Sequence, residues 1–159
     1  VKPSEVVMEE KSPEPSILVA DDSPVNLKVI RKMLKAVTTS ISEAENGLIA
    51  LEMCEKTAFD CILMDCHMPV MDGYACTESI RNSNSPNRNT PIIGFTADVV
   101  TSLPKCRAAG MDEYVTKPSK RDVICSLVNA VIQPGYESTL QKGARRNSDA
   151  SSVIGKARE

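Results

Sequence analysis

Aromatic side chains are scarce: two Phe and three Tyr in 159 residues, with a single histidine, His67. So few rings argue against a surface that grips single-stranded nucleic acid by base stacking. Neither sign of charge is in excess. The net charge is −2, so no global field draws the chain to nucleic acid or to an anionic membrane. Apolar runs are a few residues long, too short for a membrane-crossing helix, and no secretory leader is visible. The first residue is Val1 rather than Met, and the expectation is a cytoplasmic piece of a longer chain. Hydrophobic residues at 42% and charged residues at 25% are ordinary for one globular domain with a sizeable core.

Cysteine is present, at positions 54, 61, 66, 76, 106 and 125, but singly, in apolar stretches, without framework spacing. Buried reduced thiols are the expectation. Cys61, Cys66 and His67 lack both the spacing and the fourth ligand of a structural zinc site.

Residues 1–15 combine three prolines with Glu5, Glu9, Glu10 and Glu14 and are expected to form a flexible lead-in. Residues 134–159 open on Pro-Gly and are rich in Ser, Gly, Lys and Arg, which predicts a flexible tail. Within it, Arg145-Arg146-Asn147-Ser148 has the form of a basophilic kinase site, a pattern short enough to arise by chance. The domain is expected over 16–133. Ile17 to Ala20 is a continuous apolar run, as in a strand buried on both faces. Ser23 and Pro24 can cap and open a helix carrying Leu27, Ile30, Met33, Leu34 and Val37. A weaker strand falls at 39–44. Asn46-Gly47 turns into a helix marked by Leu48, Leu51 and Cys54.

The third strand, Cys61 to Met64, ends in Asp65. Met71-Asp72-Gly73 turns into a short helix with Cys76 and Ile80. Ile92, Ile93 and Phe95 mark the fourth strand. Pro104 predicts a late start, near Ser102, for the fourth helix, which ends at Gly110. Tyr114 to Thr116 is the fifth strand. Val123, Ile124, Leu127, Val128 and Val131 form the last helix's apolar face. This alternation predicts an α/β fold, a mostly parallel sheet with helices on both faces. Sites in such sheets form at the carboxyl ends of the strands. There the sequence has Asp21 and Asp22, then Asp65, Thr96 and Lys117. Three carboxylates together are unfavourable unless a hard cation relieves them, and Mg²⁺ is suited to such oxygen donors.

The segments Ile17-Leu18-Val19-Ala20-Asp21-Asp22-Ser23, Met64-Asp65-Cys66-His67-Met68-Pro69-Val70-Met71-Asp72-Gly73, Thr96-Ala97 and Lys117-Pro118 resemble the receiver domains of two-component signalling. The wording around Met68 to Gly73 and Ala109 to Asp112 is most similar to receivers of hybrid histidine kinases. The resemblance implies a doubly wound, flavodoxin-like five-stranded parallel sheet of order 2-1-3-4-5 with five helices. It implies Asp65 as phosphoacceptor, and Mg²⁺ held by Asp21, Asp22, Asp65 and the backbone carbonyl of His67. It implies Thr96 and Lys117 as phosphoryl-binding residues, Tyr114 as the switch aromatic, and a cis peptide before Pro118. The His67 side chain could also tune the lifetime of an acyl phosphate.

The implied partner is a histidine kinase or a histidine phosphotransfer protein, and the implied oligomeric state is a monomer or weak dimer. With no ATP-binding motif, and His67 as its one histidine, the chain would receive phosphate rather than originate it. Two other functions compete. A phosphatase of the haloacid dehalogenase type wants a second Asp where His67 stands. A pseudo-receiver that only binds partners usually loses an acidic, hydroxyl or lysine residue, and all are retained. The segment from Thr96 to Gly110 is about one residue shorter than in comparable receivers, which puts the fourth helix in question.

Overall fold

The computed structural model describes residues 14–141. The expected lead-in up to residue 13, and the Arg145–Ser148 motif, lie outside the described residues. Ten elements alternate: β1 (Ile17–Ala20), α1 (Pro24–Leu34), β2 (Ile41–Ala44), α2 (Gly47–Lys56), β3 (Cys61–Asp65), α3 (Gly73–Arg81), β4 (Ile92–Thr96), α4 (Val99–Ala109), β5 (Glu113–Thr116) and α5 (Arg121–Val131). All strand pairs are parallel, in the order β2-β1-β3-β4-β5.

The period-two geometry of a strand sends alternate residues to opposite faces. Ile17, Val19, Leu63, Ile93 and Phe95 meet α1 and α5 through Ile30, Leu34, Ile124 and Val128. Leu18, Ala20, Ile62 and Met64 face the other way, onto Ala50, Cys54, Cys76 and Ile80 of α2 and α3. Both faces are therefore covered, and the central strands read as unbroken apolar runs. The helix starts follow local chemistry. Ser23 Oγ accepts from Asn26 N at 3.2 Å, Asn46 Oδ1 from Ile49 N at 2.8 Å, and Asp72 Oδ1 from Ala75 N at 2.8 Å. Each satisfies a backbone donor with no intrahelical partner.

Three sequence expectations need correction. α4 begins at Val99, not near Ser102, with Asp98 as its cap and Pro104 inside it. Proline removes only the bond that would reach the carbonyl of Val100, and Val100 is exposed, so water can serve that carbonyl. Leu48 and Val123, assigned to apolar faces, are exposed; the buried stripes run through Ala50 and Cys54, and through Ile124, Val128 and Val131. Finally, the segment from Pro134 to Gln141 packs against the domain instead of hanging free. Leu140 and Ser138 are buried, Ser138 Oγ donates to the Asp112 carbonyl at 3.1 Å, and Tyr136 Oη donates to Glu113. Gln141 Nε2 reaches the carbonyls of Arg107 and Met111, each at 2.8 Å. A polar composition concealed two apolar anchors, Tyr136 and Leu140.

One buried ion pair fixes the far end of the sheet. Arg81 Nη2 lies 2.7 Å from Asp112 Oδ2, and its other nitrogens donate to the carbonyls of Gly110, Arg88 and Thr90. Asp112 Oδ2 also accepts from Ile92 N at 3.0 Å. The pair thus ties α3, the 82–91 loop, β4 and the end of α4 together.

Candidate functional site

The carboxyl ends of β1 and β3 are neighbours because those strands pair in register, Ala20 against Met64. The next residues therefore converge: carboxylate oxygens of Asp21, Asp22 and Asp65 lie within 4.8 Å of one another. Asp21 and Asp65 are buried and Asp22 is exposed. Lys117, at the end of β5, reaches across, with Nζ 3.1 Å from Asp65 Oδ2 and 3.2 Å from Asp21 Oδ2. The Lys117–Pro118 peptide is cis.

Electrostatics in this pocket are finely opposed. Burial pushes the Asp65 carboxyl above its ordinary range and Asp21 adds to the push, while Lys117 and the His67 N–H, 3.2 Å from Asp65 Oδ1, pull it down. Burial would depress Lys117, yet Asp65 and Asp21 together hold its pKa above the usual lysine value. Lys117 thus keeps its proton, while the ionised form of Asp65 is penalised first by burial and then by Asp21.

The loop after Asp65 is held close by two glycines. Gly73 N donates to Cys66 O at 3.0 Å and Gly47 N to Met71 O at 2.9 Å. A Cβ on Gly73 would fall 2.1 Å from the Asp65 carbonyl, so only glycine lets α3 start there. Within that loop Val70 has φ of 70°, and Met71 N donates to Pro69 O at 2.7 Å. This is a three-residue turn whose centre is rare for a β-branched residue.

Thr96 sits buried at the end of β4, but its hydroxyl is engaged within its own loop. Oγ1 donates to Ser102 Oγ, 2.7 Å away, and accepts from Asp98 N at 3.0 Å. Tyr114, on the edge strand, points outward and is 37% exposed. His67 is exposed, its ring edge-on to Tyr74. Sequence reasoning missed Asn26, whose Nδ2 lies 3.5 Å from both Asp21 carboxylate oxygens, and Ser102. Asn26 stands three residues after its cap and is legible from the helix start; Ser102 is not, because the sequence predicts the fourth helix to begin near it and the helix instead begins at Val99. Cys61, Cys66 and His67 do not assemble a metal cluster; among the described residues that chemistry belongs to the three aspartates. The cysteines are free and five of six are buried.

A doubly wound parallel sheet with an acidic pocket and a lysine at its strand ends defines a class of α/β signalling module. The chain belongs to the response regulator receiver domain family, whose model matches residues 17–129. It is 36% identical over 115 residues to the hybrid signal transduction protein dokA of Dictyostelium discoideum, covering 72% of this chain and 7% of that protein. It is 34% identical over 117 residues to the sensor histidine kinase GacS of Pseudomonas protegens, covering 72% and 13%. The chain thus spans a small part of these relatives. Among solved structures it resembles the receiver domain of the sensor histidine kinase PA1611 from Pseudomonas aeruginosa, with TM-score 0.71 and 36% identity, covering 76% of this chain and 98% of that one. That structure has magnesium in its active-site cleft. No helix among the described residues is long and apolar enough to cross a membrane.

Proposed function

We propose that this chain is the phosphoacceptor module of a two-component phosphorelay, taking a phosphoryl group from a phosphohistidine onto the carboxylate of Asp65. The observation that carries the proposal is the convergence of Lys117 Nζ on Asp65 and Asp21 within a cluster of three carboxylates. An isolated acidic cluster is a common surface feature. One half-neutralised by a lysine and sunk at the ends of parallel strands is a site for a cation and a transferring anion.

The donor set suits Mg²⁺, which takes oxygen ligands, keeps several waters and uses one or two carboxylates. Asp22 and Asp65 would hold it directly, Asp21 largely through water, and the backbone carbonyl of His67 would complete the protein ligands. When bound, the ion supplies positive charge to the phosphoryl oxygens.

Asp65 attacks phosphorus as an ionised carboxylate, so no general base is required. The P–N bond of the donor breaks and its nitrogen keeps the electron pair. Lys117 holds a phosphoryl oxygen, and alignment and charge neutralisation account for most of the rate. Thr96 must then exchange Ser102 for a phosphoryl oxygen, and the space it leaves admits Tyr114. The α4-β5-α5 surface changes as a two-state element biased by local charge.

The partner is a histidine kinase or histidine phosphotransfer protein. A groove of about 310 Å³ beside the site, between α1 and the Lys117–Ser119 turn, is bordered by Val29 and Met33 and supports docking of an apolar-faced helix. The similarity to dokA and GacS supports a place within a hybrid histidine kinase. Incubation with Mg²⁺ and acetyl phosphate, followed by intact mass, should add one phosphoryl group. The Asp65→Asn variant and an EDTA control should gain none. An unmodified wild-type chain, or a modified Asp65→Asn, would overturn the proposal.

A further inference from the structure

A second group of reactive atoms begins one residue beyond Asp65. Cys66 Sγ and Cys106 Sγ are 3.7 Å apart and both thiols are fully buried. One lies just past the end of β3 and the other inside α4. The room they share is made by Gly94 on β4: a Cβ there would stand 3.3 Å from Cys106 Sγ and 3.5 Å from Cys66 Sγ. We infer that Cys66 and Cys106 are an oxidation site, closing to a disulfide with hydrogen peroxide and tying α4 to the strand that carries Asp65.

A disulfide bond is about 2.05 Å long, so the sulfurs must close by roughly 1.7 Å from their present separation, a movement that α4 and the two side chains can share. Burial ordinarily makes a thiol inert, so the oxidant needs an opening, and α4 is built to give one. Its buried residues are Ser102, Cys106 and Ala109, all small, so little apolar surface anchors it. Pro104 deprives its first turns of one backbone bond. Segments with few buried apolar contacts open locally at low free energy. Cys106 lies on α4, the element that opens, so its sulfur meets the oxidant first.

Cys106 attacks one peroxide oxygen as its thiolate; the O–O bond breaks, the leaving hydroxide takes up the proton that the Cys106 thiol released, and sulfenic acid and one water result. Cys66 Sγ then attacks the oxidised sulfur. The S–S bond forms, the S–OH bond breaks, and the hydroxyl leaves with the Cys66 proton as a second water. Two thiols have lost two electrons and two protons, and one peroxide has become two waters.

The crosslink does not depend on the phosphoacceptor proposal, but its consequence for signalling does. Ser102, which holds Thr96, lies one helical turn before Cys106. A pinned α4 keeps Ser102 on Thr96, so the oxidised chain accepts phosphate on Asp65 yet switches its output face less readily.

The test treats the full chain with hydrogen peroxide, removes it, unfolds the protein and alkylates what is free. The expected result is loss of two hydrogen atoms, alkylation of four of the six cysteines, and a crosslinked peptide joining Cys66 to Cys106 that dithiothreitol reverses. Cys125→Ser should still form it, and Cys106→Ser should not. Because the wild-type peptide map is decisive alone, poor folding of a variant does not shield the proposal. Six free thiols after oxidation, or a crosslink elsewhere, would overturn it. Hydrogen exchange reads the consequence: amides of 102–109 should slow by at least about tenfold once crosslinked, and unchanged exchange would sink the pinning of α4. Phosphorylation of the oxidised and reduced chains is scored separately by mass, so failure at Asp65 and failure at the thiols remain distinct.

Discussion

Replacing Lys117 with Gln removes the ammonium that sits between Asp21 and Asp65 while keeping most of the side-chain bulk. Two charge-assisted contacts, at 3.1 and 3.2 Å, would be lost. A hydrogen bond to a charged group contributes roughly 1.5–3 kcal/mol. The lysine is 27% exposed, and freeing a long side chain returns roughly 1.5–2 kcal/mol of entropy, so the two contacts together net only about 2 kcal/mol. Against this, carboxylates left within 4.8 Å of one another repel by about 3 kcal/mol at an effective dielectric constant near 20, before they relax into water. Solvent relaxation and proton uptake remove most of that repulsion. The expected net loss in EDTA is about 2 kcal/mol, a fall in melting temperature of roughly 6–10 °C for a domain of this size.

The sharper expectation is differential. Millimolar Mg²⁺ replaces the missing charge, so it should raise the melting temperature of Lys117→Gln more than that of wild type, and of an additional Asp22→Asn substitution least. Thermal melts followed by circular dichroism, with EDTA and with Mg²⁺, read all three. Equal melting temperatures in EDTA, or a smaller Mg²⁺ effect in the lysine variant, would refute the electrostatic account of the pocket. Phosphorylation by acetyl phosphate should be lost or slowed in the same variant.

The Asp65 carboxyl, raised mainly by burial, binds its proton in the folded state before the unfolded chain does as pH falls. Between that raised value and the ordinary Asp value, the metal-free protein therefore gains stability toward acid and loses it toward neutrality. Denaturant unfolding in EDTA should show wild type gaining on Asp65→Asn as pH drops through this window, whereas parallel curves would refute it. Arg81→Ala takes the guanidinium away from the buried Asp112 carboxylate, which keeps its bond from Ile92 N, and from four backbone carbonyls; a loss of about 3 kcal/mol is expected in urea unfolding, and a loss under about 1 kcal/mol would contradict the assignment. Val70→Gly should relieve the positive φ and stabilise by about 1 kcal/mol after the glycine's entropy cost, measured in the same assay; a destabilised variant would show that the turn carries no strain.

The apolar runs at 17–20, 61–64 and 92–95 by themselves dictated buried parallel strands, because residues covered on both faces have no reason to alternate. The local chemistry of Ser23-Pro24, Asn46-Gly47 and Asp72-Gly73 placed three helix starts, since capping bonds span only three residues. The acidic and basic positions at strand ends were legible for the same reason: a parallel strand followed by a helix always delivers its last residues to one edge of the sheet. What the sequence could not decide depended on contacts distant along the chain. Whether α4 tolerates Pro104 rests on the exposure of Val100, and whether Leu48 or Ala50 faces inward rests on the helix rotation that α3 and the sheet impose. The docking of Tyr136 and Leu140 rests on Glu113 and Asp112, more than twenty residues away. The hold of Ser102 on Thr96 and the meeting of Cys66 with Cys106 likewise exist only once α4 lies against β4 and β5, because neither pair shares a strand or a helix turn.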